Sequence, residues 1–268
     1  MGTLVQILKE QWEWRRQIVS LGVFDLRKVM RGAVLGPLWL FAKPAVYILV
    51  FWFALDVGLR SGTTEPGMPP YFLWLVAGLI PWFYMQDMIG VGADVFHRYS
   101  YLVKKIKFPL CGIPVIYSIS TLIIHCGLVV VLFAIYFLCG QGPSVYLLQL
   151  PVAMALMFVF FVAFSLMVSC LSGVSKDFRN LMKTLNTPLF WLSGVIFPVD
   201  NLGPTFQFIL DFNPVTFIIK MYRCTFYSHT WITEDPMAVI GFVIVFVATV
   251  VAATVIYKRT REEVADVL

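Results

Sequence analysis

The stretch His97–Pro109 reads HRYSYLVKKIKFP and is a dense basic segment in the middle of a very apolar chain. Long hydrophobic runs flank it on both sides. Because lysine and arginine in short loops stay on the cytoplasmic side of a membrane, this segment predicts a cytoplasmic loop between two spans. Its aliphatic residues recur at helical spacing, which predicts a short amphipathic helix for a soluble partner to bind. The alternative is a solvated loop that only sets the topology.

Composition places the chain among integral membrane proteins. Of its 268 residues, 60% are hydrophobic and 13% are charged, whereas soluble domains carry roughly 25% charged residues. The length suits one domain, residues 1–268, with about six spans of roughly 20 residues each and no soluble catalytic domain. Most of the 20 lysines and arginines fall in segments predicted to be cytoplasmic. Both termini are therefore expected in the cytoplasm.

Residues 1–36 precede the first long apolar run and have the pattern of an amphipathic helix. The apolar side chains fall on one side of a helical wheel: Leu8, Trp12, Val19, Val23, Leu26 and Met30. Charged and polar residues fall elsewhere on the wheel. This pattern predicts a helix that lies in the headgroup plane at the cytoplasmic surface. A soluble amphipathic helix is the alternative.

Six apolar segments predict an all-α integral membrane fold with six transmembrane helices. They are Pro37–Leu59, Tyr71–Val91, Pro114–Leu138, Tyr146–Leu171, the short Leu185–Val199 and Met237–Tyr257. Residues 37–257 form the membrane domain, residues 172–184 return to the cytoplasm, and residues 258–268 form a cytoplasmic tail. Pro44 is expected to bend the first span and Pro81 to break the second.

The region between the fifth and sixth spans has an unusual pattern. Leu185–Val199 has only 15 residues, roughly 22 Å as a helix. Pro198, Pro204 and Pro214 divide the apolar stretch that follows. This predicts two short re-entrant helices in the outer leaflet. Broken backbone at that depth is tolerated only against protein or a wet cavity, so these pieces are expected to cap or gate a path.

Several side chains within the spans are candidate functional residues. Lys43 either extends back to the inner interface or faces a cavity and binds an anionic group. Trp82, Phe83 and Tyr84 lie near the centre of the second span, where they either line a path for sugars or pack between helices. His125 lies near the centre of the third span. No carboxylate accompanies it in this span or the next, which favours hydrogen-bonded packing over a proton relay.

A series of short motifs runs in order along nearly the whole chain. They are Leu35-Gly36-Pro37-Leu38-Trp39 with Pro44, Leu79-Ile80-Pro81-Trp82-Phe83, Lys104-Lys105-Ile106-Lys107-Phe108-Pro109, Lys176-Asp177, Phe197-Pro198, Asn213-Pro214 and Arg223. Together they resemble the type-2 ABC exporter permeases. The most similar branch exports lipid-linked polysaccharides such as O-antigen, teichoic acid, capsule or galactan. Lys176 replaces the arginine expected in many relatives and keeps its charge.

The resemblance implies a multi-pass subunit of the cytoplasmic (inner) membrane that forms a homodimer and works with two copies of a separate ATPase. Residues 100–109 would form the coupling helix for that ATPase, with Tyr101, Leu102, Lys104, Lys105, Ile106 and Lys107 as contacts. The N-terminal helix would gate the cytoplasmic entrance. Pro198, Asn213 and Pro214 would belong to an outer gate. Aromatic residues would line the substrate path, namely Trp39, Trp52, Trp82, Phe83 and Tyr84.

The leading hypothesis is therefore export of a lipid-linked polysaccharide, with membrane lipids as neighbours and no nucleic acid partner. Arg27, Arg31 and Lys43 are expected to meet the lipid pyrophosphate near the inner interface. The chain has no G-x-x-x-x-G-K-[ST] phosphate loop, and no catalytic constellation or metal-ligand cluster stands out in it. It is not expected to be an enzyme or to hold a cofactor, and ATP and Mg²⁺ are expected in the partner ATPase.

Two other functions fit parts of the sequence. A type-2 permease for a small drug or lipid would use the same coupling loop, but its aromatic residues would form a closed pocket. A secondary transporter or a membrane-embedded transferase belongs to another class. A proton-coupled carrier needs carboxylates in the middle of its spans, and only Asp87, near a cytoplasmic end, approaches this.

Overall fold

A computed structural model describes residues 2–30, 36–59, 70–106, 108–199 and 202–267, with the side chains at 29, 30, 37, 59, 105, 106 and 265–267 left out. Every regular element in these ranges is helical, as predicted. The α-helices are α1 (Thr3–Glu13), α2 (Arg15–Met30), α3 (Trp39–Trp52), α4 (Tyr71–Gly90), α5 (Val95–Arg98), α6 (Ser100–Ile106), α7 (Ile113–Leu138), α8 (Leu150–Val174), α9 (Lys176–Leu192), α10 (Pro204–Asp211), α11 (Pro214–Arg223) and α12 (Pro236–Val267). Arg31 and Lys107, two predicted contact residues, lie outside the described residues.

The amphipathic N-terminal segment forms two helices, α1 and α2, rather than the single helix predicted. The interruption lies at Trp14, whose ring packs edge-on against Phe108 with 5.1 Å between the ring centroids. Phe108 follows the basic segment in the sequence, so a helical wheel of the N-terminal residues alone contains no sign of this contact. The interruption is slight, because the N–H of Trp14 still donates to the carbonyl of Glu10 and the N–H of Ile18 to that of Trp14.

Five helices in the described part of the chain are long and apolar enough to cross a membrane. They are α3 with the π-helical turn Phe53–Leu59, α4, α7, α8 and α12, and they correspond to five of the six predicted spans. The second and third spans are predicted to within one residue: α4 begins at Tyr71 and ends one residue before the predicted end, and α7 begins one residue before its predicted start and ends at Leu138. The chain is therefore a multi-pass membrane protein by length and composition of its helices.

Helix α4 is the centre of the packing, and most of its side chains are buried. It continues through Pro81, so the predicted break in this span is wrong. Helices α7, α9 and α11 surround α4. Such surroundings allow a membrane helix to continue past a proline, because neighbouring groups can satisfy the carbonyl that proline frees. Pro44 likewise lies inside a continuous α3.

The segment after α8 differs from its prediction. Residues 172–184 and the short span Leu185–Val199 are largely one helix, α9, which begins at Lys176 and ends at Leu192. Its Ser175 cap accepts a 3.3 Å hydrogen bond from the N–H of Phe178. With 17 residues, α9 is roughly 26 Å long. Because its first half is charged, hydrophobicity alone detects only its second half.

Helices α10 and α11 are the two short helices predicted before the last span. They have 8 and 10 residues, or roughly 12 and 15 Å, so neither is long enough to cross a membrane. Pro204 and Pro214 occupy their first positions, where the missing N–H of proline costs no helical hydrogen bond. How deeply these helices enter a membrane stays a prediction.

The last span is longer than predicted. Helix α12 has 32 residues, roughly 48 Å, and continues well beyond the predicted end at Tyr257. Val264 is fully buried and lies against α8, where a Cβ added to Gly173 would be 3.0 Å from a Val264 methyl group. This contact extends the packing of α8 against α12 beyond the basic residues Lys258, Arg259 and Arg261. Most of the predicted tail is therefore a continuation of the helix.

Candidate functional site

A polar cavity of about 250 Å³ lies between α2, α3, α4 and α7. Its charged lining residues come from four elements: Asp25, Lys43, Asp87 and Arg98. Lys43 is exposed and faces this space, which is the placement that the cavity interpretation of Lys43 predicts. Arg27 is exposed near the end of α2 and is not among the lining residues of the cavity.

Asp25 closes one side of this cavity and is a residue that sequence reasoning missed. It is buried and accepts a 2.7 Å hydrogen bond from the Tyr99 hydroxyl and a 3.3 Å bond from Arg98. These bonds join α2 to the connector that follows α4. The sequence does show an acidic residue with apolar neighbours at this point of α2. Its two partners, however, are more than 70 positions away in the chain, so the sequence alone does not reveal the contact.

The face of the N-terminal helices that packs on the protein is not the predicted apolar face. Ile18, Gly22 and Asp25 are buried, whereas Trp12 and Val19 are exposed. Gly22 permits a close approach, because a Cβ added there would be 2.9 Å from Ile119 on α7. The Ser120 hydroxyl donates a 2.9 Å hydrogen bond to the Gly22 carbonyl. Leu8, Trp12 and Val19 of the predicted apolar face are therefore exposed, whereas Val23 and Leu26 are half-buried.

An aromatic cleft of about 240 Å³ separates α3, α4 and α9. The rings that line it are Tyr47, Phe51, Trp82, Phe83, Phe190 and Trp191. Phe190 is central, with its ring centroid 5.0 Å from that of Phe51 and 5.4 Å from that of Trp82. Trp82 and Phe83 are buried in the wall, whereas Tyr47 and Trp191 are 47% and 52% exposed at the rim. We call this set of six residues the aromatic cleft.

The five aromatic residues predicted for the substrate path are not all brought together. Trp82 and Phe83 line the aromatic cleft, and Phe83 also lines the polar cavity with Trp39 and Tyr84. The hydroxyl of Tyr84 lies 2.5 Å from that of Ser118. Trp52 lines neither of these two spaces, and its indole N–H donates a 3.0 Å hydrogen bond to Asp56. The cleft therefore holds two of the five predicted residues.

His125 is buried, and its Nε2 lies 2.6 Å from the hydroxyl of Tyr222 on α11. The two rings pack at an angle, with 5.7 Å between centroids. This is the hydrogen-bonded packing predicted for His125. The interaction joins α7 to α11 in the interior of the helix bundle.

The predicted coupling segment contains a short helix, α6. Tyr101 and Lys104 are exposed, whereas Leu102 is 1% exposed and turns toward α2. The carbonyl of Leu102 accepts a 3.4 Å bond from the N–H of Phe108. The side chains of Lys105 and Ile106 are outside the described part of the structure. Of the predicted coupling contacts that are described, Tyr101 and Lys104 form the exposed face.

Asn213 and Pro214 of the predicted outer gate define the start of α11. The Asn213 side chain accepts a 2.9 Å bond from the N–H of Val215 and donates a 2.9 Å bond to the Ser193 hydroxyl. It thus caps α11 and ties that helix to the end of α9. Pro198 is half-buried in the connection between α9 and α10.

Arg223, at the end of α11, is buried among backbone carbonyls. It donates 2.7 Å hydrogen bonds to the carbonyls of Gly194 and Val195, and its guanidinium carbon lies 3.3 Å from the centroid of a Trp74 ring. Gly78 makes room for it, because a Cβ there would be 2.5 Å from the guanidinium. Arg223 therefore joins α11, α4 and the turn after α9 in one arrangement.

Among the described residues no group of three or more histidine, cysteine, aspartate or glutamate side chains is placed to hold a metal ion. The features that the structure does bring together are a polar cavity, an aromatic cleft and an exposed short helix. Such features suit movement of a ligand and contact with a partner.

Comparison with known proteins identifies the family of this chain. A family model described as ABC-2 type transporter matches residues 16–227. The chain is 24% identical to the O-antigen export system permease protein RfbA of Myxococcus xanthus, over 98% of this chain and 99% of the relative. It is 22% identical to the protein of the same name from Klebsiella pneumoniae, over 91% and 92% of the two chains. It is 21% identical to the polysialic acid transport protein KpsM of Escherichia coli, over 85% and 87%.

The family match extends from the start of α2 to the π-helical turn after α11, and thus includes the polar cavity, the aromatic cleft and the coupling segment. Membrane subunits of this kind are not ATPases themselves and work with a partner ATPase subunit. This multi-pass membrane protein belongs to the ABC-2 type transporter family.

Proposed function

We propose that this chain is the permease subunit of an ATP-driven exporter that moves a lipid-linked polysaccharide across the cytoplasmic membrane. The observation that carries the proposal is its similarity, over nearly its whole length, to permeases named for the export of O-antigen and polysialic acid. The relatives share only 21% to 24% of their residues with it, so the particular glycan is not part of the proposal. Export of a small drug or lipid has no comparable support.

The proposed topology has six membrane segments per subunit, with α9 as the fifth, and both termini in the cytoplasm. Lys176, Arg179 and Lys183 lie in the first half of α9, which supports a cytoplasmic start for this helix. Helices α10 and α11 then form a re-entrant pair near the outer surface. Their length and the break between them support this position, since irregular backbone at membrane depth needs cover from protein.

Energy for export would come from the partner ATPase, which would hold ATP and Mg²⁺. Two copies of this chain would pair with two copies of that ATPase. The exposed face of α6 would receive its movement, because α6 lies in the connector between two spans and carries Tyr101 and Lys104 outward. This chain would then act as a passive conduit whose shape changes with the nucleotide state of its partner.

The aromatic cleft would form part of the glycan path. Flat aromatic faces pack against the apolar faces of sugar rings without requiring a charge, so successive sugars can slide over them. The exposed rim, Tyr47 and Trp191, supports this role more directly than the buried Trp82 does. Trp39 at the polar cavity would extend the path toward the cytoplasmic side.

The polar cavity would receive the pyrophosphate of the lipid carrier. Lys43 supplies an exposed positive charge at the cavity, Arg98 is a lining cation that is bonded to Asp25, and Arg27 is exposed near the end of the adjacent helix α2. Phosphate oxygens are strong acceptors for lysine and arginine donors. Arg31 would be a further contact of the pyrophosphate.

Stimulation of the partner ATPase tests this function. In the purified permease–ATPase complex, a lipid-linked oligosaccharide is expected to raise the rate of ATP hydrolysis about threefold or more, because differential binding to one state shifts the cycle. The unglycosylated lipid pyrophosphate and a cationic drug of similar size are the controls. Equal or greater stimulation by the drug would contradict the proposal.

Replacement of Trp191 by alanine tests the aromatic path. We expect export to slow about fivefold, since one aromatic contact is worth about 1 kcal/mol. Trp191→Phe should keep most of the rate, and Trp231→Ala, at an exposed tryptophan that does not line the aromatic cleft, should leave it unchanged. Because Trp191 is half exposed, its loss should change stability little. Equal export rates for Trp191→Ala and the unmodified protein would remove the aromatic cleft from the path.

A further inference from the structure

We propose that Asp94 is a positioning residue that makes α9 move together with the coupling segment. It lies in the short turn between α4 and α5, a few residues before α6. Its carboxylate holds the charged first half of α9. Movement at α6 would reach the aromatic cleft through Asp94 and α9. This rests on the part of the proposed function in which a partner ATPase moves α6, and it does not depend on which cargo is exported.

The carboxylate of Asp94 contacts two cations of α9. Arg179 Nη1 lies 3.1 Å from Oδ1, and Lys183 Nζ lies 3.2 Å from Oδ2. Because residues four positions apart lie on the same helix face, both cations point toward the same turn. The Arg179 side chain is only 17% exposed, so this pair is less screened by solvent than a surface ion pair. One carboxylate therefore bridges two successive turns of α9.

The turn that carries Asp94 is itself fixed to the helix bundle. Ser165 of α8 donates a 2.9 Å hydrogen bond to the carbonyl of Gly92. A Cβ at Gly92 would be 3.0 Å from that hydroxyl, so the glycine allows the close approach. The N–H of Asp94 donates a 2.9 Å bond to the carbonyl of Val91. Asp94 thus extends from a supported turn and is not a mobile surface acid.

His97 is the third basic group near the carboxylate. Its Nδ1 lies 3.6 Å from Asp94 Oδ1, and this buried atom has no hydrogen-bond partner among the described residues. Burial lowers the pKa of His97 below its ordinary value, and the positive charge of Arg179 lowers it further. At neutral pH the imidazole is therefore neutral. The two cations of α9 then carry the ionic part of the contact.

Helix α9 connects this contact to the aromatic cleft. Phe190 lies seven residues after Lys183 on the same helix, or roughly 10 Å along its axis. Between them, Asn186 packs so closely on α4 that a Cβ at Gly90 would be 2.6 Å from its side chain. A displacement of the turn at Asp94 would therefore shift Phe190 and Trp191 through one continuous helix. The width of the aromatic cleft would change with it.

Spin labels on α6 and α9 test the inference without reference to the cargo. The labels are attached to cysteines introduced at Ser100 of α6, which is not among the predicted ATPase contacts, and at the exposed Asn180 of α9. The five native cysteines are replaced, and labelled subunits are diluted with unlabelled ones, so that the distance between the two helices is measured within one subunit. In the permease–ATPase complex this distance is expected to stay the same with and without ATP. In Asp94→Asn it should change on addition of ATP, because α9 no longer follows. If the distance between the two labels in Asp94→Asn is the same with and without ATP, the proposal is overturned.

The ratio of transport to ATP hydrolysis is the second measurement. Asp94→Asn should retain hydrolysis and lose about tenfold in transport per ATP hydrolysed, as expected when two ion pairs of a network are removed. Glu263→Gln, an exposed acid-to-amide change at the end of α12, is the matched control and should keep the ratio. The exchange Asp94→Lys with Lys183→Asp should recover part of it. A proportional loss of hydrolysis and transport in Asp94→Asn would indicate a merely structural residue and overturn the proposal.

Discussion

Replacement of Arg223 by methionine is expected to lower the midpoint of thermal unfolding of the protein in detergent. The guanidinium donates to the carbonyls of Gly194 and Val195 and is 8% exposed. Methionine fills the space but donates nothing, so both carbonyls lose a charged donor in a water-poor environment. The expected loss is about 3 kcal/mol, since each buried group left unsatisfied costs about 1–3 kcal/mol. The midpoint of thermal unfolding measures it.

Two variants separate this mechanism from a general effect of losing a charge. Arg259→Met removes an exposed arginine near the C-terminal end of α12 and should leave the midpoint unchanged. Gly78→Ala keeps Arg223 but places a methyl group 2.5 Å from its guanidinium, so it should lower the midpoint as well. If Arg223→Met melts at the same temperature as the unmodified protein, Arg223 does not hold α11 against α4.

The double variant Tyr101→Ala, Lys104→Glu is expected to release the partner ATPase from a folded permease. Both side chains are exposed on α6, so their replacement leaves the interior of the bundle unchanged. Loss of an aromatic contact together with reversal of a charge should weaken the complex by about 3 kcal/mol, or roughly a hundredfold in Kd. The amount of ATPase that copurifies with the permease, and the Kd from titration, measure this effect.

Charge reversal at an exposed lysine away from α6 is the control for that result. Lys258→Glu makes the same change in net charge at an exposed residue of α12 and should leave the Kd within about twofold, because a distant exposed charge is screened. Leu102→Ala is expected to behave differently. Its side chain is 1% exposed, so the change should lower stability by about 2–5 kcal/mol rather than break contacts with the ATPase. Full binding by the double variant would place the docking surface elsewhere.

Hydrophobic runs located the membrane helices well because the membrane imposes a length and a composition on each of them. The same reasoning failed where one side of a helix is charged. Helix α9 begins at Lys176, and its first half has the composition of a loop. Helix α12 continues past Lys258 because Val264 packs against Gly173, and a basic segment gives no sign of such packing. Pro81 was wrongly expected to break α4, since the effect of a proline depends on the neighbouring helices.

The candidate site was predictable only as a set of residue types. Aromatic residues in the second span and exposed basic residues after it were identified from the sequence, and the structure places Trp82 and Phe83 in one cleft. Two acids that join separate helices, Asp25 and Asp94, were missed. Each contacts cations more than 70 positions away in the chain, and a single sequence contains no record of such pairs.

The central claim is that the chain is a passive conduit powered by a separate ATPase. The most direct measurement follows a fluorescent lipid-linked oligosaccharide in proteoliposomes that contain the permease alone or together with its ATPase. The account predicts translocation only when both proteins and hydrolysable ATP are present, and none when an ion gradient is applied to the permease alone. Translocation of the oligosaccharide by the permease alone, down an ion gradient and without ATP, would contradict it.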